Sequence, residues 1–372
     1  MLDGHTYALK EEPALVAASE FDVLRRLATA GLPAVTAVAL AETVDGASAI
    51  LATEYLAYSI QYRRLLMRFP LGPGPYRDRL LDAMATLLAE LHWAGVFWGD
   101  CSLANTLFRR DGDKIQAYLV DAETSEIHPS LSDGQRAFDL EILVENVGFG
   151  LADLGAMQGR ADAFDDAVEA AETVRSRYNA LWDELHLEPE LSPTDRHAVR
   201  ARIRRLNDLG FAVDEINLEP TMNGETVRLR VAVANRRFHS RELERLTGLA
   251  ALEGQARLLL NDLREYQAWL EYERGTSITM EMAADLWLRD VLQPSLATVA
   301  PAIGPSRDPL QAYCDVLEQK WLLSEATGRD VGLEAALDAY LALGAPAPEE
   351  PGTESTIALD IDWSAGFELE EA

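Results

Sequence analysis

Three side chains in one short stretch have the types and spacing for chemistry on a phosphate: Asp100, Asn105 and Asp121. They lie in WGDCSLANTLFRRDGDKIQAYLVDAE, residues 98–123. A carboxylate such as Asp100 can orient or deprotonate an attacking hydroxyl. An amide and a second carboxylate, Asn105 and Asp121, can hold a divalent cation against nucleotide phosphates. Together they suit phosphoryl transfer. An acid followed five positions later by an amide recurs by chance, so the weight falls on the elements around them.

Those elements place the three together. Val96–Trp98 reads as a short strand and residues 99–105 as a polar loop. Thr106–Arg109 and Ala117–Val120 pair around Asp111-Gly112-Asp113, which brings Asn105 and Asp121 to one end of a hairpin. The helix before them, Tyr76–Ala94, is amphipathic through Leu80, Leu81, Met84, Leu87, Leu88 and Leu91, and Gly95 closes it.

Further upstream, residues 6–10, TYALK, alternate as a strand that Glu11, Glu12 and Pro13 break. A helix from Leu15 to Ala30 carries Glu20 and ends at Gly31-Leu32-Pro33. A strand Lys followed by a helix Glu can form an ion pair that aims an ammonium at phosphates. Equally, Lys10 can cap an exposed strand end and Glu20 can face solvent. Thr36–Glu42 and Ala49–Tyr55 pair around Asp45-Gly46, and PLGPGP at 70–75 forms a rigid loop. After a loop at 125–134, a helix begins near Gln135 and carries Asp139.

The second half reads as helices at 162–186, from Ser192-Pro193-Thr194-Asp195 through Leu209, and at 252–273, 280–296, 309–326 and 332–343. They are interrupted by strands at 211–218 and 226–234 around Asn223-Gly224. Arginines at 196–205 and 228–245 can contact phosphate or pair with nearby acids. Beyond Pro346 the composition turns to Pro, Glu, Gly, Ser and Thr, an acidic disordered tail.

Composition excludes several classes. The net charge of −29 argues against non-specific nucleic-acid or anionic-membrane binding. No run is long and apolar enough for a membrane span, no secretory leader is visible, and two cysteines suit a reducing compartment, so the expected location is cytoplasmic. The six histidines show no zinc-ligand spacing, and His92 reads as a packing residue. Cys101 reads as a small loop residue. Only three lysines occur, Lys10, Lys114 and Lys320, against thirty arginines. Nothing in the sequence fixes an oligomeric state.

YALKE at 7–11, Glu20 in SEFDVLRRL, LHWAG at 91–95, GDCSLAN at 99–105 and LVDAE at 119–123 together resemble the protein-kinase-like superfamily. The nearest branches are the lipopolysaccharide-kinase type and small-molecule kinases. FWGDCSLANTLFRR, YLVDAET, ARIRRLNDLGF, LERLTGL and EQKWLLSEATGRDVG are similar to an uncharacterised bacterial family. There, a lipopolysaccharide-kinase-like part precedes a domain of unknown function.

The resemblance implies an α+β chain: a truncated kinase-like bilobal domain, then a mostly helical domain with a β-hairpin. It divides the chain into a partial N-lobe at 1–60, a C-lobe at 61–160, the C-terminal domain at 161–345 and the tail at 346–372. It implies ATP and Mg²⁺ as cofactors and a small-molecule or glycan hydroxyl as acceptor. Lys10 then contacts phosphate with Glu20 as its partner, Asp100 is the catalytic base, and Asn105 and Asp121 are metal ligands. Glu54 and Leu56 lie at the hinge that meets the adenine, and Asp139 braces the catalytic-loop backbone or remains a surface acid near a helix start.

Three departures qualify that expectation. Only nine residues precede Lys10, too few for the strand pair and glycine-rich loop that normally cover the phosphates. Trp98-Gly99-Asp100 replaces the usual His-Arg-Asp. Glu123 stands where the family has Gly. The alternative is a pseudokinase that binds nucleotide, or scaffolds, without turnover.

Overall fold

The computed structural model describes residues 6–44, 46–68, 74–160, 163–191, 196–220, 227–233 and 236–346. Asp45 of the first turn, most of the 70–75 loop, the Ser192–Asp195 helix start, the Asn223-Gly224 turn and the tail from 347 lie outside them.

The chain opens with β1 (Tyr7–Pro13), α1 (Ala14–Ala30), β2 (Ala37–Glu42) and β3 (Ser48–Glu54), which form an antiparallel sheet in the order β1-β3-β2. β1 does not break at Glu11. It stays in register with β3 through Glu11↔Ile50, Glu12↔Ala49 and Pro13↔Ser48, because an edge strand tolerates Pro. α1 lays Ala17, Val23, Leu24 and Leu27 against the sheet, and Glu20 is buried with them. Gly31 closes α1 with φ +70°, its N–H bonded to the Ala28 carbonyl.

Next come β4 (Ser59–Gln61) and α2 (Tyr62–Arg68), neither of which periodicity predicts. α3 (Pro75–Trp93), β5 (Val96–Phe97), β6 (Thr106–Asp111), β7 (Lys114–Leu119) and β8 (Glu126–Ile127) follow, then α4 (Asp133–Met157) and α5 (Ala163–His186). The β6–β7 hairpin runs longer than its apolar residues suggest, from Thr106↔Leu119 at its base to Asp111↔Lys114 at its tip. Its base is tied to the first sheet: Val35 N–H donates to the Leu119 carbonyl at 3.0 Å, and Leu119 N–H to the Pro33 carbonyl at 2.9 Å. One apolar core runs from Val23 through Met84, Trp98 and Leu143 to Val174 and Tyr178. Packing therefore continues into α5, across the 160/161 division expected from the sequence.

The second half is mostly helical, with α6 (Arg196–Asp208), β10 (Val213–Pro220) and β11 (Val227–Val233) forming a small sheet with β9 (Glu190–Leu191). α7 (Phe238–Thr247), α8 (Glu253–Arg274), α9 (Met280–Trp287), α10 (Gln293–Ile303), α11 (Pro309–Thr327) and α12 (Gly332–Ala342) complete it. The helix expected over 280–296 is interrupted by a π turn at Leu288–Leu292. A separate core gathers Leu243, Leu259, Leu263, Trp287 and Tyr313.

The two halves meet along α3, where Trp93 Nε1 donates to the Val233 carbonyl at 3.1 Å and Arg236 pairs with Glu90 at 3.3 Å. Burial pushes the Glu90 carboxyl up to about 7, and Arg236 only partly offsets it. With its folded pKa above the unfolded value, Glu90 favours the fold while protonated. That contribution is complete below pH 4.5 and is lost as pH rises through 7. The melting temperature of Glu90→Gln is therefore expected to fall less than that of the wild type between pH 5 and 8. A Gln variant whose pH profile parallels the wild type would assign the burial cost elsewhere.

Candidate functional site

Lys10 sits on β1 opposite Leu51 of β3, and its side chain reaches across to α1 and to the loop after β7. Its ammonium lies 2.9 Å from Glu20 Oε2, 2.9 Å from Glu12, 3.1 Å from Asp121 Oδ1 and 3.5 Å from Glu123. Four carboxylates thus converge on one ammonium. Burial alone would lower the Lys10 pKa, but hydrogen bonds to Glu12, Glu20 and Asp121 hold it above the ordinary lysine value. Glu20 is 1 % exposed, not on a solvated face. Its Oε1 accepts the Ala122 N–H at 2.9 Å, which joins α1 to the backbone beside Asp121. Burial, with Glu12 adding to it, pushes Glu20 up to about 7 against the lowering effect of Ala122 and Lys10.

The other acid and the amide are joined to this cluster through the hairpin base. Val120 N–H donates to the Asn105 carbonyl at 3.0 Å. Asn105 Nδ2 donates to Asp100 Oδ2 at 2.8 Å. An unbroken chain of contacts therefore runs from Glu20 through Lys10 and Asp121, along the hairpin base, to Asn105 and Asp100. Glu54, at the end of β3, is exposed and gives its N–H to the Thr36 carbonyl at 2.9 Å. The Leu56 carbonyl accepts Ser59 Oγ at 2.7 Å. Among the described residues, no hydrogen bond or ion pair joins either one to the Lys10 cluster.

The loop that presents Asp100 is fixed from beneath. Asp139 of α4 is fully buried; its Oδ2 accepts Trp98 N–H at 2.7 Å and its Oδ1 accepts Gly99 N–H at 2.8 Å. His92 Nε2 lies 3.1 Å from the same carboxylate, and His92 Nδ1 lies 2.7 Å from the Tyr178 hydroxyl. Burial lowers the His92 pKa against the raising effect of Asp139, and since a carboxylate can only accept, Nε2 is the nitrogen that donates to Asp139. His92 is thus a hydrogen-bonding residue as well as a packing one. Gly99 has φ +83°, and a Cβ there would lie 2.8 Å from the Thr124 carbonyl oxygen, so the turn into Asp100 demands glycine. Cys101 is buried and its thiol is pushed well up by burial, as suits a loop filler.

No group of three or more His, Cys, Asp or Glu side chains placed to hold a metal occurs among the described residues. Two side chains of the site carry oxygen donors of the kind a hard cation takes. Asn105 and Asp121 offer oxygen ligands, and the carboxylates around Lys10 outnumber its single positive charge. Among the described residues no helix is long and apolar enough to cross a membrane.

Residues 5–157 match the lipopolysaccharide kinase (Kdo/WaaP) family, and residues 180–343 match a domain of unknown function, DUF4032. No curated protein matches the chain. Among solved structures, it is similar to WaaP in complex with acyl carrier protein, at 24 % identity and TM-score 0.33, covering 49 % of this chain and 78 % of that one. It is also similar to a double mutant of the Mycobacterium tuberculosis PknI kinase domain, at 19 % identity and TM-score 0.29, covering 46 % and 84 %. The chain therefore joins an N-terminal region that matches the lipopolysaccharide kinase (Kdo/WaaP) family to a C-terminal region that matches DUF4032.

Proposed function

We propose that the chain binds ATP with Mg²⁺ and transfers a phosphoryl group to a hydroxyl of a small molecule or glycan. The observation that carries this reading is the Lys10 ammonium held at 2.9 Å from Glu20 and 3.1 Å from Asp121, residues contributed by three separate elements. On this reading Lys10 contacts phosphate, Glu20 aims it, and Asp100 accepts the proton of the attacking hydroxyl. Asn105 and Asp121 would hold the metal, which neutralises charge on the phosphates when bound.

Thermal unfolding of the full chain with Mg·ATP, ATP alone and Mg²⁺ alone tests this. Mg·ATP at 100 times its Kd stabilises a protein that binds it by about 2.7 kcal/mol. Asp121→Ala is expected to abolish that gain while leaving the unliganded melting temperature close to wild type, since Asp121 is only partly buried. A wild-type chain that shows neither stabilisation nor turnover of ATP would end the proposal.

A second reading, a pseudokinase, has an observation of its own. Glu12 and Glu123 both compete for the Lys10 ammonium, at 2.9 and 3.5 Å, and the kinase-like resemblance expects Gly in place of Glu123. On that reading Mg·ATP stabilises the chain without being consumed.

A further inference from the structure

We infer that the C-terminal domain is a positioning element for the candidate metal ligands, because it grips the tip of the hairpin whose base carries Asn105 and Asp121. The inference rests on the reading of those two residues proposed above.

The tip is embedded in the other domain. Asp111, the last residue of β6, is 1 % exposed, and its Oδ1 accepts the Gln255 N–H at 2.8 Å. Gln255 lies in the first turn of α8, whose preceding residue, Leu252, has no side-chain oxygen to cap it. The capping carboxylate comes instead from Asp111, 144 residues earlier in the chain. Gly112 is held from the other side: its N–H donates to Gln311 Oε1 at 2.8 Å, and its carbonyl accepts Gln311 Nε2 at 2.8 Å.

The backbones meet directly. A Cβ on Gly112, which has φ +65°, would lie 2.8 Å from Gly254 carbonyl atoms, and a Cβ on Gly254 would lie 2.3 Å from the Asp111 carbonyl oxygen. Ion pairs flank the contact: Arg109–Asp308 at 2.9 Å, Arg110–Asp315 at 2.7 Å and Arg257–Asp113 at 2.6 Å.

The paired strands are six residues each, so the grip acts about 17 Å from the base. An antiparallel pair transmits register and twist along its length, and a slip at the tip would move every residue to the base. At that base Val120 N–H bonds the Asn105 carbonyl, one residue before Asp121. Gln255, Gln311 and Asp111 are thus positioning residues that act on Asn105 and Asp121 through β6 and β7.

The test uses the full chain with Gln311→Ala, which removes both bonds to Gly112. Arg257→Ala is a milder second variant, and Gln267→Ala a control that removes a bond to the Ile278 carbonyl inside the C-terminal domain. Two readouts are taken: amide exchange at Val120, and affinity for Mn²⁺ in the presence of ATP beside affinity for ATP alone.

Gln311→Ala is expected to speed exchange at Val120 about tenfold, the scale of one to two net hydrogen bonds. It is also expected to weaken Mn²⁺ binding by about 10- to 100-fold, as loss of an outer-shell support does, with metal-free ATP affinity unchanged. Arg257→Ala is expected to give smaller changes in the same direction, and Gln267→Ala neither. Unchanged exchange at Val120 in folded Gln311→Ala would overturn the inference, as would equal effects from Gln267→Ala. If the wild type binds no Mn·ATP, the function proposed above fails, and exchange at Val120 alone decides whether the hairpin base depends on the grip. Should Gln311→Ala not fold, the same criteria apply to Arg257→Ala.

Discussion

Asp139→Ala is expected to destabilise the chain by about 3–5 kcal/mol, the scale of leaving three buried donors without their shared acceptor. The carboxylate is fully buried and serves three donors at once: the backbone N–H groups of Trp98 and Gly99 and the His92 ring. Removing it strands all three in the core, and each unsatisfied buried polar group costs about 1–3 kcal/mol. The chain cannot relax toward solvent to recover them, because Trp98 is itself fully buried and its carbonyl is tied to Thr124 and Ser125. Asp139→Asn keeps one acceptor but turns an amide N–H toward a donor, so it is expected to recover only part of the loss. Denaturant unfolding measures the difference. Amide exchange at Trp98 and Gly99 locates it in the loop that ends at Asp100. A cost below about 1 kcal/mol would show that these amides find other partners.

Asp139 also illustrates what was legible. Its helix could be read from the sequence, and Ser132 and Gln135 start it with a capping box. Its role could not be chosen, because the amides it accepts lie about 40 residues earlier and no local pattern links them. Lys10, Glu20, Asp100, Asn105 and Asp121 were nameable because each sits at a marked point of an element: on a strand, within a helix, at a loop or at the base of a hairpin. The crowding around Lys10 was not. Glu12 read as a strand breaker and Glu123 as an isolated substitution, and only the register of β1 on β3 brings Glu12 inward. The grip on the hairpin tip was hidden further still. Asp111-Gly112-Asp113 is an ordinary turn signal, and nothing in it announces partners 144 and 199 residues away. β4 and α2 escaped because one is three residues long and the other seven, too short for periodicity to show.

Asp100→Ala is expected to lower the rate of phosphoryl transfer by about 10²- to 10⁴-fold, the usual worth of a general base. Stability is expected to stay within about 0.5 kcal/mol of wild type, since Asp100 is exposed. The two effects separate because the side chain is held by the site alone: Asn105 Nδ2 bonds its Oδ2 at 2.8 Å, and the loop beneath is fixed by Asp139 instead. The loss is expected in kcat, with the KM for Mg·ATP little changed, because a base acts on the attacking hydroxyl as the proton leaves. Asn105→Ala is expected to behave differently: it removes the proposed metal ligand and the amide that bonds Asp100, so KM and kcat are both expected to suffer. Steady-state kinetics with any accepted hydroxyl, or with water as the acceptor, distinguish the two variants. A wild-type rate in Asp100→Ala would move the base elsewhere. A wild type that binds Mg·ATP but never turns it over would instead point to Glu12 and Glu123, whose carboxylates hold the Lys10 ammonium away from phosphate. Glu123→Gly, which removes one of those competitors, would then be expected to raise turnover above the wild-type level.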